Sequence, residues 1–166
     1  MASTVQIVLD TNDFYVAKRL LKRVEKSVQG QVAKRALAAG ADVYLKKHLM
    51  PALLRRDHTL KSLAKMGHPY ARRHGSIRVH QTQPWVVHSH TGKLARSIKA
   101  EIKGSKKPSL TIYSDSSVAP YNRFVFKGTK KMLGRDTFGE TFKRGADDMS
   151  YAIMNVVLDS VQEWRI

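Results

Sequence analysis

A long amphipathic stripe near the N-terminus restricts the fold of this chain more than any other feature. Apolar residues recur there at gaps of three or four, at Phe14, Ala17, Leu21, Val24, Val28, Val32, Ala36, Ala39 and Val43. Such spacing is typical of one face of an α-helix, with lysines and arginines on the other faces. The pattern predicts a helix from Asp13 to Leu49, about 55 Å long, that ends or kinks at Pro51. A compact domain does not need a helix of that length, so part of it is expected to pack on neighbouring subunits.

Shorter elements flank this helix. Residues 3–9 alternate apolar and polar side chains and predict a strand. Residues 98–104 and 109–115 predict a β-hairpin around a Lys-Lys-Pro turn, and residues 119–129 predict a short helix or strand that ends at a glycine turn. Residues 147–164 have helical spacing, and Asp147 and Asp148 near their start suit the helix dipole.

The order of elements predicts an α+β fold, with the long N-terminal helix and a C-terminal helix packed on a small antiparallel β-sheet. At 166 residues the chain is expected to form a single domain, 1–166. Residues 55–89 interrupt the pattern with Pro69, Gly75 and Pro84. An irregular segment of that length is expected to be an extended loop or insert that partners order.

The charge is strongly one-sided, with 30 Lys and Arg against 13 Asp and Glu and a net charge of +17. Residues 46–112 hold 15 Lys and Arg and two carboxylates, and Tyr70 and Trp85 lie among them. A basic surface of this kind is suited to phosphates, and exposed aromatic rings can stack on bases. Alternatively, the two aromatic residues anchor the loop in a core or an interface.

Six of the seven histidines fall in or beside the irregular segment, at His58, His68, His74, His80, His88 and His90. A metal site would need a carboxylate or a third well-spaced histidine, and residues 58–100 contain no Asp or Glu. The His-x-Thr sequence at His80 lacks the second copy that a two-motif phosphoesterase requires. Neither a Gly-x-Ser-x-Gly motif nor a phosphate-binding Gly-rich loop occurs. No enzymatic activity, metal or cofactor is therefore expected.

Two segments in the second half resemble motifs of a known family. The first runs from Thr91 to Ile98 as TGKLARSI, and the second runs from Ala119 to Met132 as APYNRFVFKGTKKM. Together with the hairpin between them, they resemble tailed-phage neck proteins of the tail-completion or head–tail joining type, often described as minor tail proteins. Family members have a TGxLxxSI helix start, a hairpin, a YaxFvEfGT segment, an MpaRPF loop and a C-terminal helix. The motif positions here are Thr91, Gly92, Leu94, Ser97, Ile98, Tyr121, Phe124, Gly128, Thr129 and Phe138.

The resemblance implies a structural virion protein, made in the host cytoplasm, that forms a ring of six or twelve subunits in the phage neck. Its expected partners are copies of itself, the head connector or stopper, the tail tube or terminator, and the packaged double-stranded DNA, which it would contact without sequence specificity. Candidates to face the DNA channel or a neighbour are Arg72, Arg73, Arg78, Lys93, Arg96 and Lys99. The alternative is a free, non-specific nucleic-acid-binding protein. The sequence has no cysteine, no signal-peptide pattern and no apolar run that could span a membrane, so no membrane partner is expected.

Overall fold

The structure is a computed structural model that describes residues 6–10, 19, 28–55, 86–87, 91–130 and 134–163. The elements along these residues are β1 (Gln6–Asp10), α1 (Gln29–Tyr44), a π-helical turn (Leu45–Leu49), α2 (Met50–Leu53), α3 (Lys93–Arg96), β2 (Ile98–Lys103), β3 (Ser109–Ser114), α4 (Asn122–Lys127) and α5 (Thr137–Glu163). Helices packed with a small sheet confirm the predicted α+β class.

The long N-terminal helix is present over its described part. From Gln29 the chain is helical through the π-helical turn and α2, so the helical run passes Leu49 and Pro51 and ends at Leu53. Proline lacks a backbone N–H, and its ring clashes with the carbonyl four residues earlier in a regular α-helix. The wider π-helical turn directly before Pro51 is one way to relieve that conflict. Between residues 11 and 27 the structure describes only Arg19, which is helical and exposed.

The buried face of α1 differs from the predicted stripe. Val32 and Ala36 are buried as expected, but Ala39 and Val43 are only half-buried. The buried set is Val32, Ala33, Ala36, Leu37, Gly40, Ala41 and Tyr44. Gly40 belongs to this face because a Cβ atom there would lie 2.8 Å from Cγ1 of Ile153 on α5. Glycine lowers the helix propensity at this position but allows α1 and α5 to pack closely.

Helix α5 begins at Thr137, ten residues before the predicted start. Asp136 caps it, since its Oδ1 accepts a hydrogen bond of 3.0 Å from the backbone N–H of Gly139. Met149, Ile153 and Val157 are buried at helical spacing, as predicted. Asp147 and Asp148 lie well inside the helix, so the prediction that they interact with the N-terminal dipole is wrong.

The three strands form a sheet in the order β1–β3–β2, and the hairpin predicted from the sequence is β2 and β3. β3 is the middle strand, and its Leu110, Ile112 and Ser114 are buried while the residues between them are half-buried. This alternation is expected of a strand with one face toward a core. β1 overlaps the predicted strand at residues 3–9, of which residues 3–5 lie outside the described residues.

The described residues group into two compact units. The first unit takes its residues from Leu49–Lys99 and Tyr113–Thr141, and the second from Gln6–His48, Ala100–Ile112 and Phe142–Ile166. Both hairpin strands and α5 pass from one unit into the other. The first unit contains most of the segments that resemble the phage family, and α1 and most of α5 lie in the second.

Candidate functional site

The helix start at Thr91 and Gly92 has the geometry of a tight turn. Gly92 has a φ of 66°, a left-handed conformation that side chains other than glycine rarely adopt. The Thr91 Oγ1 accepts a hydrogen bond of 3.3 Å from the backbone N–H of Lys93, which starts α3. Leu94 is buried and Ile98 is half-buried. The segment therefore turns the chain into α3 and continues directly into β2.

Three buried polar side chains connect the family-like segments. The Ser97 hydroxyl donates to the backbone oxygen of Leu94 at 2.6 Å and lies 2.7 Å from the Ser114 hydroxyl at the end of β3. The Asn122 amide, at the start of α4, donates to the backbone and side-chain oxygens of Ser114, each at 2.9 Å. Buried polar groups are stable only when hydrogen-bonded, so this Ser97–Ser114–Asn122 network fixes the positions of α3, β3 and α4.

An ion pair continues the network toward the surface. The Lys99 ammonium lies 2.5 Å from Oδ2 of Asp115, and Ser117 donates to Oδ1 of Asp115 through both its backbone N–H and its hydroxyl. The hydrogen bond from Lys99, followed by those from Ser117, lowers the pKa of Asp115 from 3.8 to about 2. The Asp115 backbone N–H also donates to the backbone carbonyl oxygen of Ser97 at 2.7 Å. Lys99 is exposed and part of an ion pair, and its predicted role toward DNA or a neighbour stays a prediction.

Helix α4 presents two aromatic residues to solvent. Tyr121 is 40% exposed and Phe124 is 52% exposed, at a spacing of three that places them side by side. The opposite side of α4 is buried through Val125 and Phe126. Gly128 ends the helix with a φ of 76°, and Thr129 is half-buried after it.

The segment before α5 packs on the end of α4. The Phe126 and Phe138 rings meet edge to face with centroids 5.0 Å apart, and Phe138 is buried. The Arg135 backbone N–H donates to the oxygen of Val125 at 3.0 Å, and the Arg135 side chain is fully buried. The family-motif residue Phe138 is therefore a core residue of the first unit.

The predicted cationic and loop residues divide into two groups. Lys93 and Arg96 are exposed on α3. Arg72, Arg73, Arg78, Tyr70 and Trp85 lie outside the described residues, as do the six histidines from His58 to His90. Their predicted roles stay predictions.

Sequence reasoning missed a histidine–aspartate pair in the second unit. The Nε2 atom of His48, in the π-helical turn, lies 2.9 Å from Oδ2 of Asp148 on α5, and the Lys47 ammonium lies 3.8 Å from the same oxygen. A Cβ atom on Gly145 would lie 2.7 Å from the His48 ring, so glycine lets the ring approach the α5 backbone. The hydrogen bond from His48, with the charge of Lys47, lowers the pKa of Asp148. A pairing across 100 residues has no local sequence signal.

Several hydroxyls among the described residues are used in local hydrogen bonds. The hydroxyls of Ser97, Thr141, Ser150 and Ser160 each donate to a backbone oxygen. Within the described part of the chain, no three His, Asp or Glu side chains converge as a metal site would require. Among the same residues, no helix is both long and apolar enough to cross a membrane.

Comparisons with protein-family models, with curated proteins and with solved structures found no match to this chain.

Proposed function

We propose that this chain is a structural virion protein of a tailed bacteriophage that forms a ring in the neck, joining the head connector to the tail around the DNA channel. One observation carries the proposal. The separate segments that resemble the neck family come together in the first unit through the buried Ser97–Ser114–Asn122 network. Segments that are far apart in sequence but hydrogen-bonded in one unit are expected if they form a shared structural motif.

The surface supports a role in assembly. Lys93 and Arg96 are exposed on α3, and the chain carries a net charge of +17. Cations of this kind attract a DNA backbone without reading its bases, which suits a channel through which DNA must move. The exposed Tyr121 and Phe124 add aromatic area of the type that is enriched in protein interfaces.

Location in the particle tests the proposal. Virions of the phage that encodes the chain, purified on a density gradient, should contain it at a copy number divisible by six, measured by quantitative mass spectrometry against the major capsid protein. Particles from which the chain is absent would refute a neck role. Particles made without the chain should fail to join head and tail.

A free, non-specific nucleic-acid-binding protein is the second candidate, supported by the same exposed cations. The two candidates differ in how salt affects binding to a random DNA duplex. A neck protein should bind weakly, with an affinity that collapses as salt approaches physiological strength, because its contacts are mostly with phosphates. Tight binding by an isolated monomer at physiological salt would favour the second candidate.

Matched charge reversals locate the DNA contacts. Replacing Lys93 and Arg96 with Glu should reduce low-salt DNA binding and the slope of affinity against salt. Replacing Lys106 and Lys107 with Glu changes the charge equally at the exposed hairpin turn and serves as the control. Equal losses in both variants would mean that only net charge matters.

A further inference from the structure

Helix α4 lies in a stretch of chain that carries only positive charge. Residues 116–135 contain five Lys and Arg and no Asp or Glu. On this stretch Arg123 is exposed between the exposed Tyr121 and Phe124 in sequence, and Lys130 is exposed two residues after the glycine that ends α4. We call these four residues the cationic face. It offers aromatic area with positive charge at its margin.

The outer side of α5 has the opposite character. Residues 145–164 contain four Asp and Glu and no Lys or Arg, although the whole chain has a net charge of +17. Tyr151 is 71% exposed and Leu158 is 39% exposed, seven residues apart and so on one side of the helix. Asn155, Asp159 and Gln162 are exposed beside them. We call these five residues, together with the exposed Asp147 one turn before Tyr151, the acidic face. It runs about 23 Å along α5 at 1.5 Å per residue and carries the carboxylates of Asp147 and Asp159.

We propose that the cationic face of one copy of this chain binds the acidic face of the next copy, in a head-to-tail contact. Each face pairs exposed apolar side chains with charge of one sign, and the signs are opposite. Complementary charge selects the partner and its orientation, while tyrosine and phenylalanine supply the buried area. Because the two faces differ, the contact is heterologous, and repeated contacts of this kind close into a ring or extend into a filament.

A second copy fits both faces better than a nucleic acid does. A phosphate backbone would suit the cationic face, but it would be repelled by the carboxylates of residues 145–164. The acidic face needs a cationic and partly apolar partner, and the α4 surface supplies both properties. The inference names the partner surfaces of the ring and in that respect rests on the proposed function.

Complementation between two variants of the full chain tests the contact. Phe124→Asp places a negative charge in the cationic face, and Tyr151→Asp adds one in the acidic face. In sedimentation velocity the wild-type chain should form oligomers, and each variant alone should sediment as a monomer of 18.8 kDa. An equimolar mixture should form a dimer of twice that mass, because one intact cationic face and one intact acidic face remain.

A matched control and a folding check accompany these measurements. Leu54 is 41% exposed, belongs to neither face, and lies beside Gly92. Leu54→Asp should therefore assemble like the wild type. Circular dichroism and thermal unfolding should show all three variants folded, since the substituted side chains are at the surface. Phe124→Leu and Tyr151→Leu remove the ring without adding charge, and each should weaken assembly less than the aspartate does.

Several outcomes would overturn the inference. A monomeric wild-type chain, a mixture that stays monomeric, or assembly lost in only one of the two variants would each exclude this head-to-tail contact. Loss of DNA binding without loss of assembly in Phe124→Asp would assign the cationic face to nucleic acid instead. Dimers in the mixture would support the contact even if the chain were absent from virions, in which case only the neck role would fail.

Discussion

The Nε2 atom of His48 lies 2.9 Å from the Oδ2 atom of Asp148, and the two residues are 100 positions apart in the chain. The contact joins the π-helical turn to the middle of α5. Tyr44, one helical turn before His48, meets the Phe142 ring of α5 edge to face, with ring centroids 6.2 Å apart. Gly40, one more turn toward the start of α1, packs on Ile153 of α5. Gly40 meets Ile153, whereas the later His48 meets the earlier Asp148, and these two contacts indicate that the segments run antiparallel.

The first prediction concerns pH. The pKa of Asp148 is lowered in the folded state, chiefly by the hydrogen bond from His48, so the carboxylate stabilises the fold above its ordinary value of 3.8. That contribution is lost as pH falls through the lowered pKa. Asp148→Asn should therefore lower the Tm at neutral pH, and its difference from the wild type should shrink in strongly acidic buffer. Asp42→Asn removes the carboxylate of an exposed pair with Lys46 and should change the Tm little at any pH. A constant difference for Asp148→Asn across the pH series would contradict this explanation.

The second prediction concerns Gly145. Alanine in the interior of a helix is usually more stable than glycine by about 1 kcal/mol. Here the added Cβ would lie 2.7 Å from the His48 ring, so Gly145→Ala should instead lower the free energy of unfolding by about 1 kcal/mol. In a His48→Ala background the same substitution should stabilise the protein, because the ring is gone. Urea unfolding of the four proteins measures this reversal of sign, and a loss that is equal in both backgrounds would rule out the ring contact as its cause.

The third prediction concerns the Ser97–Ser114–Asn122 network. Asn122→Ala leaves the buried oxygens of Ser114 without their amide donor and should reduce the free energy of unfolding by about 1–3 kcal/mol. Asn155→Ala makes the same substitution at an exposed helical position and should stay within about 0.5 kcal/mol of the wild type. Denaturant unfolding compares the two directly. Similar small effects would mean that water replaces the amide at Ser114.

The fourth prediction concerns the turn at Gly92. A Cβ atom there would meet its nearest neighbours at 3.6 and 3.7 Å, so space is available and only the left-handed φ of 66° resists substitution. Gly92→Ala should therefore cost about 1 kcal/mol. Gly92→Asn should cost less, because asparagine tolerates this conformation. Thermal unfolding should rank the proteins wild type, asparagine variant and alanine variant in decreasing stability; an alanine variant as stable as the wild type would show that the turn has rearranged.

The sequence predicted those features that depend on near neighbours. Alternation of apolar residues identified the hairpin at β2 and β3, and helical spacing identified α1 and the buried residues Met149, Ile153 and Val157 of α5. The motif at Thr91 and Gly92 also predicted a helix start, and α3 begins at Lys93. Each of these features is determined by residues only a few positions apart.

The start of α5 was harder to predict. Its first ten residues contain two glycines, and only Phe138, Phe142 and Ala146 extend the helical spacing of the later part backward into residues 137–146. The capping bond from Asp136 and the burial of Phe138 against Phe126 stabilise that first part. The capping bond is local in sequence but gives a weak signal. The contact between Phe126 and Phe138 exists only in the folded chain.

By itself, then, the sequence determined the α+β class, the positions of the hairpin and the main helices, and the strongly basic charge. Only the tertiary structure decided which face of α1 is buried, because Gly40 and Ile153 lie on different helices. It likewise decided that Asp148 pairs with His48 instead of a helix dipole, and that Ser97, Ser114 and Asn122 share hydrogen bonds. The periodicity of side chains predicts helices and strands because these depend on residues close in sequence. The pairings depend on how distant segments pack, and periodicity carries no information about that packing.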